Sequence, residues 1–301
     1  MAWHCHLITY ELNSPLHIGY HKVGSVQRTR YYIPARNMLA AAAEQLVEHG
    51  QQQAYSDALR WVQQNLAFSY FFIAANGSLL NPKYAGEGLI YGGLSAREFE
   101  RRFLRSHVTT AIDHKRVTLA YHPKKRFLRS HVTTAIDSVT GGAEENSLHE
   151  VEYIAERWVD ESGRAHQTYL QGCVFTCASA DGLSILESLR AGGERRYGFG
   201  SLRRIREEIN GAANGYELIL DAPRPQIKID CNGPLLAHAP VCDLQSARGM
   251  IEPLVGRETT PGGAFGKRLT PGVVCWVPGT ILESAQAFEF AEDGTWKKVT
   301  Q

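Results

Sequence analysis

No run of apolar residues in the sequence approaches the roughly 18 that a membrane-crossing helix needs, so no membrane partner is expected. The N-terminus, Met1-Ala-Trp-His-Cys-His, has neither the basic segment nor the apolar stretch of a secretory signal. Cysteine is sparse. Six residues scattered over 301 do not form a disulfide framework, and a reducing cytoplasm is the expectation. A surplus of one charge is missing too, since 32 Lys and Arg face 31 Asp and Glu. Hydrophobic content of 44% and charged content of 21% are ordinary for a globular protein. The length suits one large domain or two small ones.

What the net charge hides is its distribution. Between Arg101 and Asp137 lie nine Lys or Arg residues, with Asp113 the one acid before Asp137. Between Arg190 and Arg206 lie six arginines against Glu194 alone. Acids gather elsewhere, at 144–156 and 283–293. A chain neutral in total but basic in two blocks can hold a polyanion locally; a pair of solvated loops would look the same.

Residues 4–12 alternate as an edge or half-buried strand and stop at the turn Asn13-Ser-Pro-Leu. Residues 20–32 read as a long loop or hairpin. Pro34 suits the first turn of a helix over 35–49, whose Ala40-Ala-Ala-Ala run can pack closely on a sheet. A second helix is expected at 55–65 and a buried strand at 67–75. Residues 148–158 and 167–178 read as paired strands around Asp160-Glu-Ser-Gly, and 182–190 as a short helix. After the strand or arm at 201–209, Asn210-Gly-Ala-Ala-Asn-Gly is the best linker. Short strands follow at 217–220, 226–231, 273–278 and 287–290. Strands with a few helices predict an α+β class, and two ferredoxin-like halves fit the spacing.

One repeat stands out. RFLRSHVTTAID occurs at 102–113 and again at 126–137, twelve identical residues offset by 24. Ancient repeats keep pattern rather than identity, so this is a recent duplication or an artefact. The second copy alone continues into Ser138-Val-Thr-Gly-Gly and is taken as the working one.

The sharpest motif is Gly192-Gly-Glu-Arg-Arg-Tyr-Gly-Phe-Gly, with four glycines in nine residues. Glycine admits positive φ and close backbone approach, while Arg195, Arg196 and Tyr197 offer phosphate contacts and a stacking face. A dinucleotide fingerprint would follow a strand and open a helix; here a polar, basic stretch follows instead, and a plain structural turn is the blander alternative. The loop resembles the glycine-rich loop of the RAMP superfamily of CRISPR proteins, G-G-x-x-x-x-G-x-G. Ser14-Pro-Leu-His-Ile-Gly with Tyr32-Ile-Pro-Ala-Arg-Asn-Met-Leu-Ala-Ala-Ala resembles that family's first loop and helix. Thr134-Ala-Ile-Asp-Ser-Val-Thr-Gly-Gly-Ala-Glu-Glu resembles its central segment. Together these span about residues 7–205 in the family's order. Ser138 departs from a common arginine, and Ala41 or Ala42 from a common glycine.

The resemblance implies tandem ferredoxin-like (RRM-like) domains. Residues 1–209 would form the first, with a basic insertion at about 97–131, and 216–301 a smaller, less regular second. Gly233-Pro-Leu-Leu, Gly262-Gly-Ala-Phe-Gly-Lys-Arg and Pro271-Gly-Val-Val-Cys-Trp-Val loosely fit the Csx-ten (Cas-five-like) kind of type III-D systems. It further implies a non-catalytic subunit that grips the 5′ tag of the guide RNA and caps the effector. Its partners would be a large Cas-ten-type subunit and the backbone RAMP subunits, with target RNA nearby and no cofactor. The expected RNA-binding residues are Arg28, Arg30, Tyr31, Lys124, Arg126, Arg129, His131, Gly192, Gly193, Arg195, Arg196, Tyr197, Gly198, Phe199, Gly200, Lys267 and Arg268. If Arg195 and Arg196 each neutralise one phosphate, losing both should flatten the log K against log salt slope by about 1.4.

Two rivals remain. A RAMP nuclease would use Asp137, which backbone subunits of the family employ to position target RNA, or a histidine such as His4, His6, His17 or His21 as general base. Asp137 could equally hold a turn. A purely structural subunit bridging other proteins is the second rival. His4-Cys-His6 and the Cys173/Cys177 pair each fall short of four clustered ligands, and no metal is expected.

Overall fold

The computed structural model describes residues 2–75, 78–86, 88–94, 108–113, 116–121, 127–133, 149–160, 162–177, 183–209, 216–244, 246–258 and 268–299; residues 108–113, 116–121, 257–258 and 268 are described by backbone alone.

The strand Trp3–Leu12 sits at the centre. Ile8, Tyr10 and Leu12 are fully buried at alternate positions, as the period of two demands. It pairs on one side with Tyr169–Cys177 and on the other with Ser201–Ile209. The segment expected as an edge or half-buried strand is therefore an interior one. The sheet continues through Phe71–Ala75 to Tyr32–Ile33, with Leu66–Phe68 beside Tyr169–Cys177 and Ser188–Arg190 on the far edge. Every pairing in it is antiparallel.

The helices Ala35–Glu48 and Tyr55–Asn65 cross from the first strand to Leu66–Phe68. Pro34 is the N-cap of the first, its φ of −61° already set for the turn that follows. Ala41, Ala42 and Ala43 are buried, which lets this helix lie close on the sheet. It ends in a Schellman motif. Gly50, at φ +69°, donates its N–H to the Val47 carbonyl, and Gln51 donates to that of Leu46. The resulting order, 201–209, 3–12, 169–177, 66–75, is a split βαβ sheet.

Two expectations fail. The helix expected at 182–190 is not formed by the described residues 183–190; a 3₁₀ turn at Ser184–Leu186 leads into Ser188–Arg190, where Leu189 is buried opposite Leu202. Nine residues are too few for a stable isolated helix, and sheet burial of Leu189 wins. Nor do 148–158 and 167–178 pair with each other. Only Arg157–Val159 and Ala165–Gln167 form the hairpin. His149–Ile154 leaves for a second sheet, while Tyr169–Cys177, buried from Cys173 to Cys177, belongs in the main one.

The later residues form small sheets. One is Glu217–Ile219, Gln226–Ile229, Gln286–Phe290 and Trp296–Lys298; another is Ala239–Pro240, Val273–Trp276 and Ile251–Leu254. Among the described residues from 216 onward there is no α-helix, so a second helix-bearing ferredoxin-like unit is not seen there. The core runs on without a break between the two halves: Phe175 meets Phe290 at 4.5 Å, and the Trp3 backbone N–H donates to the Leu220 carbonyl at 2.8 Å. The linker expected at 210–215 lies outside the described residues.

Candidate nucleic-acid interface

Beside the main sheet stands a second one, ordered Leu128–Thr133, His149–Ile154, Val26–Thr29 and Gly19–Val23. The last two strands form the hairpin expected at 20–32. Glu152 ties it down: its carboxylate accepts the Thr29 N–H at 3.2 Å and Arg28 Nη1 at 3.0 Å, and its carbonyl accepts His17 Nδ1–H at 2.7 Å.

The glycine loop is stapled to residues 15–17. Gly193 N–H donates to the His17 carbonyl and Gly200 N–H to that of Pro15. Gly192 and Gly200 have φ of +86° and +87°, and a Cβ on either would overlap a carbonyl oxygen, His17 for the first and Ala191 for the second. Gly198, at φ +81°, has open space where its Cβ would go. Two of these glycines therefore serve close packing and the third the turn. Between them the 3₁₀ turn Arg195–Tyr197 leaves Arg196 exposed and Tyr197 67% exposed. Phe199 turns inward against Tyr153 at 5.4 Å. Arg129 lies opposite Tyr153 and His131 opposite Val151, so both share the face that the loop adjoins.

Pairing divides the expected contacts. Arg195 is held by Glu44 on the first helix. Arg203, Arg204 and Arg206 pair with Glu11, with Glu187 and Glu207, and with Glu208. Of that basic block only Arg190 and Arg196 have no carboxylate partner among the described residues. Arg129 Nη2 donates to the Arg157 carbonyl at 2.9 Å. His131 and His21 are exposed, while Tyr31 packs against Tyr91 at 6.2 Å. Lys124, Arg126, Asp137 and Lys267 lie outside the described residues, and Arg268 is described by its backbone alone. Of the other histidines proposed as bases, His6 is buried between Glu207 and Thr176, and His17 is buried on Glu152. Among the described residues no three His, Cys, Asp or Glu side chains could hold a metal ion.

Arg30 is the most altered of all. Its guanidinium is buried, with Nη1 2.6 Å from Glu252 Oε1 and donating to the Tyr32 hydroxyl at 3.0 Å. Glu252 Oε1 is also 2.6 Å from His238 Nε2, and Tyr70 Oη is 2.7 Å from His238 Nδ1. The His238 backbone N–H donates to Tyr70 Oη. The Glu252 carboxylate accepts from Nε2–H, so in the neutral imidazole Nδ1 accepts the hydrogen bond that the Tyr70 hydroxyl donates. Sequence reading missed Glu252, His238, Glu44 and Tyr153. Distant acids and a lone histidine carry no local signal; only Glu152 and Tyr153, inside the strand expected at 148–158, were within reach.

Burial holds the His238 pKa below its ordinary value, against the pull of Glu252. The unfolded chain therefore binds a proton at higher pH than the folded one. The stability that neutral His238 contributes is present above about 6.5 and is lost as pH falls from there toward the depressed folded value. Chemical denaturation across that range should show stability declining with acidification, and His238→Gln, which keeps a donor to Glu252, should reduce the decline. Identical pH profiles for the two would remove His238 as the cause.

No family model matches the sequence, and no curated protein matches it. Among solved structures the fold is similar to a chain of the Type III-B Cmr-beta bound to cognate target RNA and AMPPnP, with a TM-score of 0.52 and 11% identity over 92% of this chain and 86% of that one. It is similar also to a chain of the Type III-B Cmr-beta bound to cognate target RNA, with a TM-score of 0.51 and 12% identity over 92% and 86%. At such identities what is shared is the fold. Among the described residues no helix is long and apolar enough to cross a membrane.

Proposed function

We propose that this chain is an RNA-binding, non-catalytic subunit of a type III CRISPR effector assembly. In the finer reading it grips the 5′ tag of the guide RNA and caps the assembly beside a Cas-ten-type subunit and backbone RAMP subunits, in the manner of a Csx-ten subunit. The observation that carries the proposal is the stapled glycine loop, which presents Arg196 and Tyr197 rigidly to solvent beside the second sheet. A pre-ordered loop loses little entropy on binding. An exposed guanidinium can take a phosphate, and an exposed phenol ring can take a base. The fold it shares with chains of RNA-bound Type III-B Cmr-beta supports the same reading.

Because Arg195 is engaged by Glu44, the loop should supply one phosphate contact rather than two. Arg196→Ala should flatten the log K against log salt slope for single-stranded RNA by about 0.7, and adding Arg195→Ala should change it little further. A slope unchanged in Arg196→Ala would place the loop away from the RNA. The purified chain should not cleave RNA with or without magnesium; cleavage lost in His21→Ala or Asp137→Ala would favour the nuclease instead.

A further inference from the structure

We propose that Tyr20 and His21, on the outer strand of the hairpin, form a stacking site for one unpaired nucleobase, separate from the glycine loop; this rests on the RNA-binding reading above. All five residues of Gly19–Val23 are exposed, on a strand with no neighbour beyond it among the described residues. The pairing with Val26–Thr29 slips between Gly19 and Lys22, so Tyr20 and His21 occupy an irregularity in the ladder. Such bulges re-aim side chains and recur beside functional sites.

Tyr20 is 44% exposed yet held in place. The Arg30 guanidinium lies 4.6 Å from its ring centroid. Arg30 cannot swing away, because Glu252 and the Tyr32 hydroxyl fix it from behind. The His21 ring meets Tyr20 edge to face, with centroids 4.1 Å apart. An aromatic corner fixed from beneath by a buried cation is pre-organised for stacking, which needs a rigid ring at low entropic cost. Lys22 stands exposed on the same strand, where a base's own phosphate could be met. An unpaired base suits this corner better than an apolar peptide, since exposed Lys22 offers a cation for the phosphate that a nucleotide carries and a peptide lacks.

The test uses the full chain and a dye-labelled 12-nucleotide single-stranded RNA, titrated at several salt concentrations. Tyr20→Leu should weaken binding by roughly 5- to 150-fold, the range for one base–aromatic stack. The salt slope should stay unchanged, because stacking releases no counterions. Tyr20→Phe should bind like wild type. An abasic scan of the RNA should find one position whose loss weakens the wild type but no longer weakens Tyr20→Leu. That scan on the wild type does not depend on the variant's folding. Wild type that binds RNA with Tyr20→Leu binding equally well, or with no sensitive abasic position, overturns the site and leaves RNA binding intact. Wild type that binds no RNA overturns both.

Discussion

Glu252→Ala should lower the unfolding free energy by roughly 3–5 kcal/mol, the usual cost of removing one partner of a buried ion pair. The side chains of Arg30 and Glu252 are 11% and 12% exposed, so water replaces the lost carboxylate poorly. Two contacts are lost at once: that of the buried Arg30 guanidinium, which keeps only its bond to the Tyr32 hydroxyl, and that of the Nε2–H of His238, which is itself fully buried. Glu252→Gln keeps an acceptor and removes the charge, and should fall between wild type and alanine. Denaturant unfolding of the three chains measures this directly. A loss under about 1 kcal/mol in Glu252→Ala would show that the pair relaxes to solvent and does not brace the hairpin.

The glycine loop yields the second large effect. At Gly200 an added methyl would overlap the Ala191 carbonyl while the backbone stays at φ +87°. The same residue donates to the Pro15 carbonyl and accepts from the Ala191 N–H, so it cannot shift without breaking both bonds. Gly200→Ala should cost roughly 3 kcal/mol or more, combining overpacking of about 1–3 with a left-handed penalty of about 1–2. Gly198→Ala meets open space and should pay the conformational penalty alone, about 1–2 kcal/mol. Gly200→Ala should also lose RNA affinity, because Arg196 and Tyr197 ride on the loop it anchors. Equal melting temperatures for the two variants would refute the division of the glycines into packing and turning.

What could be read beforehand was local. The alternation at 4–12, the alanine run with its flanking proline and the glycine spacing each announced an element correctly, because the nearest neighbours decide those structures. The misreadings share one cause. Leu189 could have closed a helical turn, and 167–178 could have paired with 148–158, but long-range burial assigned both elsewhere. Charge pairing was equally invisible. Arg28, Arg30 and Arg195 are basic in sequence, and each meets an acid more than 100 residues distant. Only the fold shows which guanidinium groups are already neutralised and which, like that of Arg196, remain for an anion.

The Arg30–Glu252 contact also bears on how such a chain can change over generations. Its two residues are encoded far apart, yet neither can be replaced first without leaving a charge in the interior. A chimera joining the first 209 residues of this chain to the second half of a relative would inherit Arg30 without control over what faces it. Where the donor lacks an acid at the place of Glu252, the hybrid would be destabilised around Arg30 although each parent is sound. Exchange between lineages should thus favour whole chains over halves, and the two ends of the gene should be inherited as one unit.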